Sequence, residues 1–160
     1  MAINASIKRL RCHGDWQINF SPYKENNIDD DGNNPINNSG VDMILVDDGS
    51  VVEVLIYDIF KKMNLDESLL RPAGLIYDFA NQPIKAKGLI NLSITLGTRE
   101  NMITKEVEFF IIDQPSVYNA IIDRPLMKKI SMVIALYYLT IKFLTSTKVG
   151  YVKANLTIAR

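Results

Sequence analysis

From Val41 onward the chain alternates apolar runs with turn residues, at the period of strands rather than of long helices. Val41–Val46 predicts a strand that stops on Asp47-Asp48-Gly49, a tight-turn signal. Val51–Leu55 predicts a second apolar strand. Tyr57–Met63 predicts a short helix, with Ile56, Phe60 and Met63 on one face and Lys61-Lys62 off it. Leu75–Phe79 and Ile84–Leu96 predict a hairpin bent at Ala80-Asn81-Gln82-Pro83. In its second arm Ile90, Leu92, Ile94 and Leu96 alternate with Leu89, Asn91, Ser93 and Thr95, the pattern of a half-buried strand. Gly97 to Asn101 reads as a turn. Ile103–Ile112 follows as a strand with Val107, Phe109 and Ile111 inward and Glu106 and Glu108 outward. Ala120–Ile122 predicts a short buried strand, Pro125–Lys129 one helical turn, and Met132–Phe143 a final pair of strands. Many short strands punctuated by turns predict an all-β barrel or sandwich.

The pattern also divides the chain. Residues 1–20 form a basic, weakly amphipathic arm, with Lys8, Arg9 and Arg11 ahead of any acid. A transit peptide has some of this character, and a piece of a longer polyprotein or a displaced gene start is the reading preferred here. Residues 21–40 are rich in Asn and Asp with almost no apolar content, which predicts a flexible linker. Residues 41–145 form the folded domain, and 146–160 read as a tail.

Composition narrows the function classes. The 160 residues are 48% hydrophobic and 22% charged with a formal net charge of zero, enough for one real core. Balanced charge gives no electrostatic case for direct nucleic-acid binding or an anionic membrane. The longest apolar run, Met132 to Leu139, is far short of the roughly 20 residues a bilayer requires. A lone cysteine, Cys12, excludes an internal disulfide framework and suits a reducing compartment. Several local motifs carry nothing. Asn27 to Gly32 imitates the start of a calcium loop, but its twelfth position is Asn38 rather than Glu. Cys12-His13 has no further Cys or His with which to hold zinc, and His13 has no nucleophile motif to form a triad. Trp16 reads as a linker aromatic, and glycosylation patterns at Asn4, Asn91 and Asn155 mean little without a secretion signal.

The candidate chemistry sits at Asp47. A carboxylate lifted from the end of an apolar strand by a tight turn is an acid/base candidate, although Asp-Asp-Gly is also an ordinary hairpin turn. The order of segments shifts the balance toward the first. Val46-Asp47-Asp48-Gly49-Ser50 is followed by a short helix, a hairpin, a strand and then Tyr118-Asn119-Ala120-Ile121-Ile122-Asp123-Arg124-Pro125. In order and spacing this resembles a retropepsin, the single-domain aspartic protease, and most nearly the protease region of plant gypsy-type retrotransposon polyproteins. The resemblance runs from Val41 to about Val152.

That resemblance implies a retropepsin-like closed barrel with one or two short helices. It implies Asp47 as the catalytic residue, carried on an active-site loop with Asp48, Gly49 and Ser50. Tyr77, Phe79, Ala80, Asn81 and Gln82 become the flap over a peptide substrate, with core packing of the hairpin as the other reading for Tyr77 and Phe79. Ile121, Ile122, Asp123 and Arg124 become the support of the loop. With one such motif per chain, the carboxylate dyad of an aspartic protease requires a homodimer in which a two-fold axis joins Asp47 to its copy. No metal or organic cofactor is implied. The expected substrate is the retrotransposon polyprotein and the expected setting intracellular, a particle in the cytoplasm, with no membrane and no nucleic acid as direct partner.

The chain departs from the family pattern at three places. Asp48 stands where a hydroxyl residue is usual. Asp123 replaces a glycine that packs against the active-site loop, and Arg124 either pairs with it locally or, if the segment is extended, points the other way. The strand that precedes the Val41 strand is not legible. The flap bend also lacks glycine, which suggests a stiffer flap. These departures keep a second reading open: a catalytically decayed retropepsin fold serving as a dimerisation or peptide-binding module, or a transposon remnant.

Overall fold

The computed structural model describes residues 8–10, 17–22, 39–40, 43–78, 80–97, 101–135 and 140–153. Strands dominate. They are β1 (Lys8–Leu10), β2 (Gln17–Pro22), β3 (Ser39–Gly40), β4 (Ile44–Val46), β5 (Glu53–Ile56), β6 (Leu75–Tyr77), β7 (Pro83–Gly97), β8 (Ile103–Ile112), β9 (Ala120–Ile122), β10 (Val133–Ala135), β11 (Thr140–Leu144) and β12 (Val149–Lys153). Helix α1 spans Tyr57–Lys62 and α2 spans Arg124–Lys129, with a single 3-10 turn at Glu67–Leu69. The fold class is the expected all-β one with short helices.

The main sheet runs β1-β4-β9-β5-β8-β7-β2-β3, with β6 paired to β7. Its long arms follow from alternation. Ile90, Leu92, Ile94 and Leu96 of β7 are buried, as are Val107, Phe109 and Ile111 of β8, so antiparallel pairing puts both apolar faces into one core. Phe109 meets Phe20 of β2 edge-on at 5.3 Å. Under the sheet α1 buries Ile59 and Phe60, and Met63 at its C-cap is fully buried. Each such side chain contributes about 1.5–3 kcal/mol by leaving water. An Asp58–Lys61 ion pair of 2.8 Å lies on the exposed face of α1.

One piece of topology positions the site. Strand β9 lies between β4 and β5, parallel to β4 and antiparallel to β5. The link from β4 to β5, which carries Asp47 to Val52, therefore passes over the end of β9. Backbone bonds seal the insertion: Asp47 N–H donates to the Ile122 carbonyl at 2.9 Å and Ile56 N–H to the Asn119 carbonyl at 3.0 Å.

Three regions differ from expectation. The stretch expected as an arm contributes β1, which pairs antiparallel with β4, and β2, which pairs with β7. These pairings rest on backbone hydrogen bonds, which a short polar segment forms without any apolar periodicity. The missing strand before β4 is thus supplied from farther upstream. Beyond 145, β12 pairs with β11 and buries Gly150 and Val152. The expected linker, 21–40, gives its first two residues to β2 and Ser39–Gly40 to β3; its middle at 23–38 with the calcium-like loop, Cys12, His13, Trp16, the turn residues 98–100 and the end of the tail at 154–160 lie outside the described residues.

Candidate active site

Ile44, Leu45 and Val46 are all buried, and they carry the chain directly into Asp47, which is only 8% exposed. Its Oδ1 accepts from the Gly49 N–H at 2.9 Å. This turn fixes the carboxylate while its backbone is tied to β9. Asp48 and Gly49 are exposed and Ser50 is half-buried; the Ser50 hydroxyl accepts a long 3.4 Å bond from the Val52 N–H.

Beneath the loop lies a charged cluster that the sequence only half disclosed. Asp123 is fully buried and caps α2: its Oδ1 accepts from the Arg124 N–H at 2.6 Å. Its Oδ2 is buried with no hydrogen-bond partner among the described residues. Burial pushes its carboxyl above the usual range, opposed by the Arg124 N–H and by Ser50 and reinforced by the charge of Asp47. Glu53, at the start of β5, is 2% exposed. Its Oε2 accepts from the Asp123 N–H at 2.6 Å and its Oε1 from the Leu126 N–H at 2.8 Å. Burial raises its carboxyl from 4.5 to about 7 against the pull of those two N–H groups. Glu53 was not singled out from sequence. The signal was present as one acid inside the apolar run Val51–Leu55.

Arg124 does not pair with Asp123. The backbone at Asp123 is extended, with φ −128° and ψ −172°, so the next side chain points the other way. The guanidinium donates instead to the Ser50 carbonyl at 2.8 Å and the Gly49 carbonyl at 3.3 Å. The loop is thereby held from both sides, by β9 through Asp47 and by the first residue of α2.

A cavity of about 560 Å³ opens in front of Asp47. Gly49, Ser50, Val52, Val54 and Ile121 line its floor, Arg124 one side, and Ile76, Tyr77, Asp78 and Ile84 of the hairpin its roof. Tyr77 is 61% exposed, so it is not core packing of the hairpin. Ile122 faces the core rather than the cavity, and Asp48, Ala80, Asn81 and Gln82 do not line it. Phe79 lies outside the described residues. The bend turns without glycine because Asn81 adopts φ +58° and the Asp78 carboxylate accepts from both Ala80 N–H (2.9 Å) and Gln82 N–H (2.8 Å).

No family model matches the sequence, and no curated protein matches it. Among solved structures, the chain is similar to the retroviral protease-like domain of Ddi1 from Leishmania major. Identity is 14%, coverage 87% of this chain and 94% of that one, and the TM-score 0.50. It also matches a retropepsin-like aspartic protease from Rickettsia conorii at 12% identity, over 95% of each chain, with a TM-score of 0.45. An acid at the end of β4, a strand threaded between β4 and β5, and a hairpin over the resulting cleft are thus arranged on a retropepsin-like aspartic protease fold.

Proposed function

We propose that the chain is an aspartic-type endopeptidase acting as a homodimer with one Asp47 from each copy. The observation that carries this reading is the placement of Asp47. Its carboxylate ends a buried strand, is oriented by the Gly49 N–H and borders a cleft roofed by the hairpin. A two-fold axis at the loop would set two such carboxylates side by side. Like charges that close share one proton. The ionised member takes a proton from a water as its oxygen attacks the peptide carbonyl, and the protonated member donates to the carbonyl oxygen. Collapse of the tetrahedral species breaks the C–N bond, and the amine leaves with a proton. No cofactor enters this chemistry. The order of motifs supports a gypsy-type retrotransposon polyprotein as the substrate, processed inside the cell.

One observation favours a second reading, a non-catalytic dimerisation or peptide-binding module. The Asp123 carboxylate sits buried and half-satisfied below the loop, adding negative charge where a dyad must hold its own. The deciding experiment is digestion of a peptide library by purified protein at roughly pH 4–6. Cleavage that disappears in Asp47→Asn, with circular dichroism unchanged, supports the endopeptidase. Undiminished cleavage by that variant sinks it, and no cleavage by either protein favours the module.

A further inference from the structure

Arg124 is placed to do more than hold the loop. A guanidinium carries five N–H donors in one rigid plane. Nε and one donor of Nη2 are engaged by the Ser50 and Gly49 carbonyls, which fixes the plane against the loop. The opposite edge, Nη1 with the second Nη2 donor, has no acceptor among the described residues. No carboxylate among them forms an ion pair with it. That edge matches a carboxylate in geometry, with two parallel N–H groups pointing the same way.

The surroundings say what would use it. Arg124 is exposed and borders the same cavity as Asp47, and it is the sole cation lining that cavity among the described residues. The two acids that also line it have other work: Asp78 folds the hairpin bend and Asp47 is bonded to Gly49. The remaining neighbours are uncharged: Val51, Val52, Val54 and Ile121 make an apolar wall, and Ser50, Gln114 and Ser116 add polar groups without charge. A pre-oriented guanidinium beside an apolar wall recognises a ligand that is apolar with one acidic group.

We propose that Arg124 is a carboxylate-binding subsite of the cleft. Its free edge takes the side chain of a Glu or Asp from a bound peptide whose neighbouring residues are apolar. The inference rests on the endopeptidase reading for its substrate class, while the binding it predicts is measurable without catalysis.

The test uses matched fluorescent peptides that carry Glu, Gln or Lys beside an apolar pair. Binding is read by anisotropy on the full chain with Asp47→Asn, which removes cleavage. The Glu peptide should bind about tenfold more tightly than the Gln peptide, as expected for a partly exposed bidentate pair. Adding Arg124→Gln should abolish the difference. Arg124→Lys, a point charge without the fork, should retain about threefold. Should Arg124→Gln fail to fold, the Lys variant and salt decide: the Glu-to-Gln ratio should fall as sodium chloride rises, and a ratio indifferent to salt overturns the proposal. A Glu preference in binding with no cleavage by the unmodified chain leaves the subsite standing and removes the endopeptidase. Equal affinity for the Glu and Gln peptides, or no binding of any, overturns the subsite. Equal affinity combined with loss of the dimer in the Arg124 variants also overturns it, and assigns the free edge to the contact between copies.

Discussion

Replacing Glu53 by Gln should flatten the dependence of stability on pH. Glu53 is nearly sealed from water, and its carboxyl titrates near 7 in the folded chain rather than at 4.5. Burial is the main cause; the Asp123 charge adds to it, while the Leu126 and Asp123 N–H groups and Lys129 oppose it. Between pH 4.5 and about 7 the folded state therefore holds a proton that the unfolded state has released. The contribution is fully present below about pH 4.5 and is lost as pH rises through about 7. At ~1.4 kcal/mol per unit, the gap amounts to about 3 kcal/mol. For a chain of this size, that corresponds to roughly 6–12 °C in melting temperature. Gln cannot titrate, so the share of the slope that belongs to Glu53 should vanish, and what remains is the smaller same-sign slope of the Asp123 carboxyl, which burial also raises. Gln also turns an NH2 group toward one of the two N–H donors, which costs about 1–3 kcal/mol. The variant should then be less stable than the parent at pH 5 and close to it at pH 8. Asp58 and Asp66 do not confuse the measurement. Hydrogen bonds lower their carboxyls below 3.8, so their contribution is lost only as pH falls below that value. Thermal melts followed by circular dichroism from pH 4 to 8 supply the measurement. A Gln variant that keeps the full slope would refute the assignment of that slope to Glu53.

Two further outcomes follow from the same loop. Activity should rise with protein concentration before levelling, because one chain has one Asp47; the exposed carboxylate of Asp48 should weaken dimerisation most at low salt, and Asp48→Ser should strengthen it. Sedimentation that shows a tight nanomolar dimer of the unmodified chain at low salt would contradict the repulsion. Asp123→Gly should raise both the melting temperature and any proteolytic activity. It removes a buried oxygen without a partner at the cost of a helix cap worth a few tenths of a kcal/mol relative to glycine. Because burial raises the Asp123 carboxyl, its ionised form is disfavoured on folding, so the gain of about 1 kcal/mol should grow as pH rises and that carboxyl ionises. A lower melting temperature for the glycine variant would show that the cap outweighs the orphan.

What the sequence made legible, and what it hid, divides along physical lines. Side-chain periodicity reports which face of a strand leaves water, so the β7–β8 pair and its buried residues were readable. Strand β12 was hidden because a glycine occupies one of its core positions. A Cβ on Gly150 would sit 2.5 Å from the Phe143 ring, so the ring supplies the apolar mass that the strand's own sequence lacks. Strand β1 was hidden because its pairing with β4 is made by backbone, and backbone bonding leaves no mark on residue type. The hairpin bend hid its mechanism in a left-handed asparagine and an aspartate that bonds two N–H groups ahead of it. Glu53 was the deepest omission, and its cause is general. A carboxylate inside an apolar run reads as an outward-facing residue of an amphipathic strand until the tertiary fold is known. Only when β9 is threaded between β4 and β5 do the first N–H groups of α2 arrive over that position. The acid beneath the loop and the acid at its tip are then parts of one arrangement. Asp47 is held through the Ile122 carbonyl, Asp123 follows Ile122 in the chain, and Glu53 holds the Asp123 N–H. A proton on Glu53 therefore changes the hold on a backbone one residue away from the bond that positions Asp47.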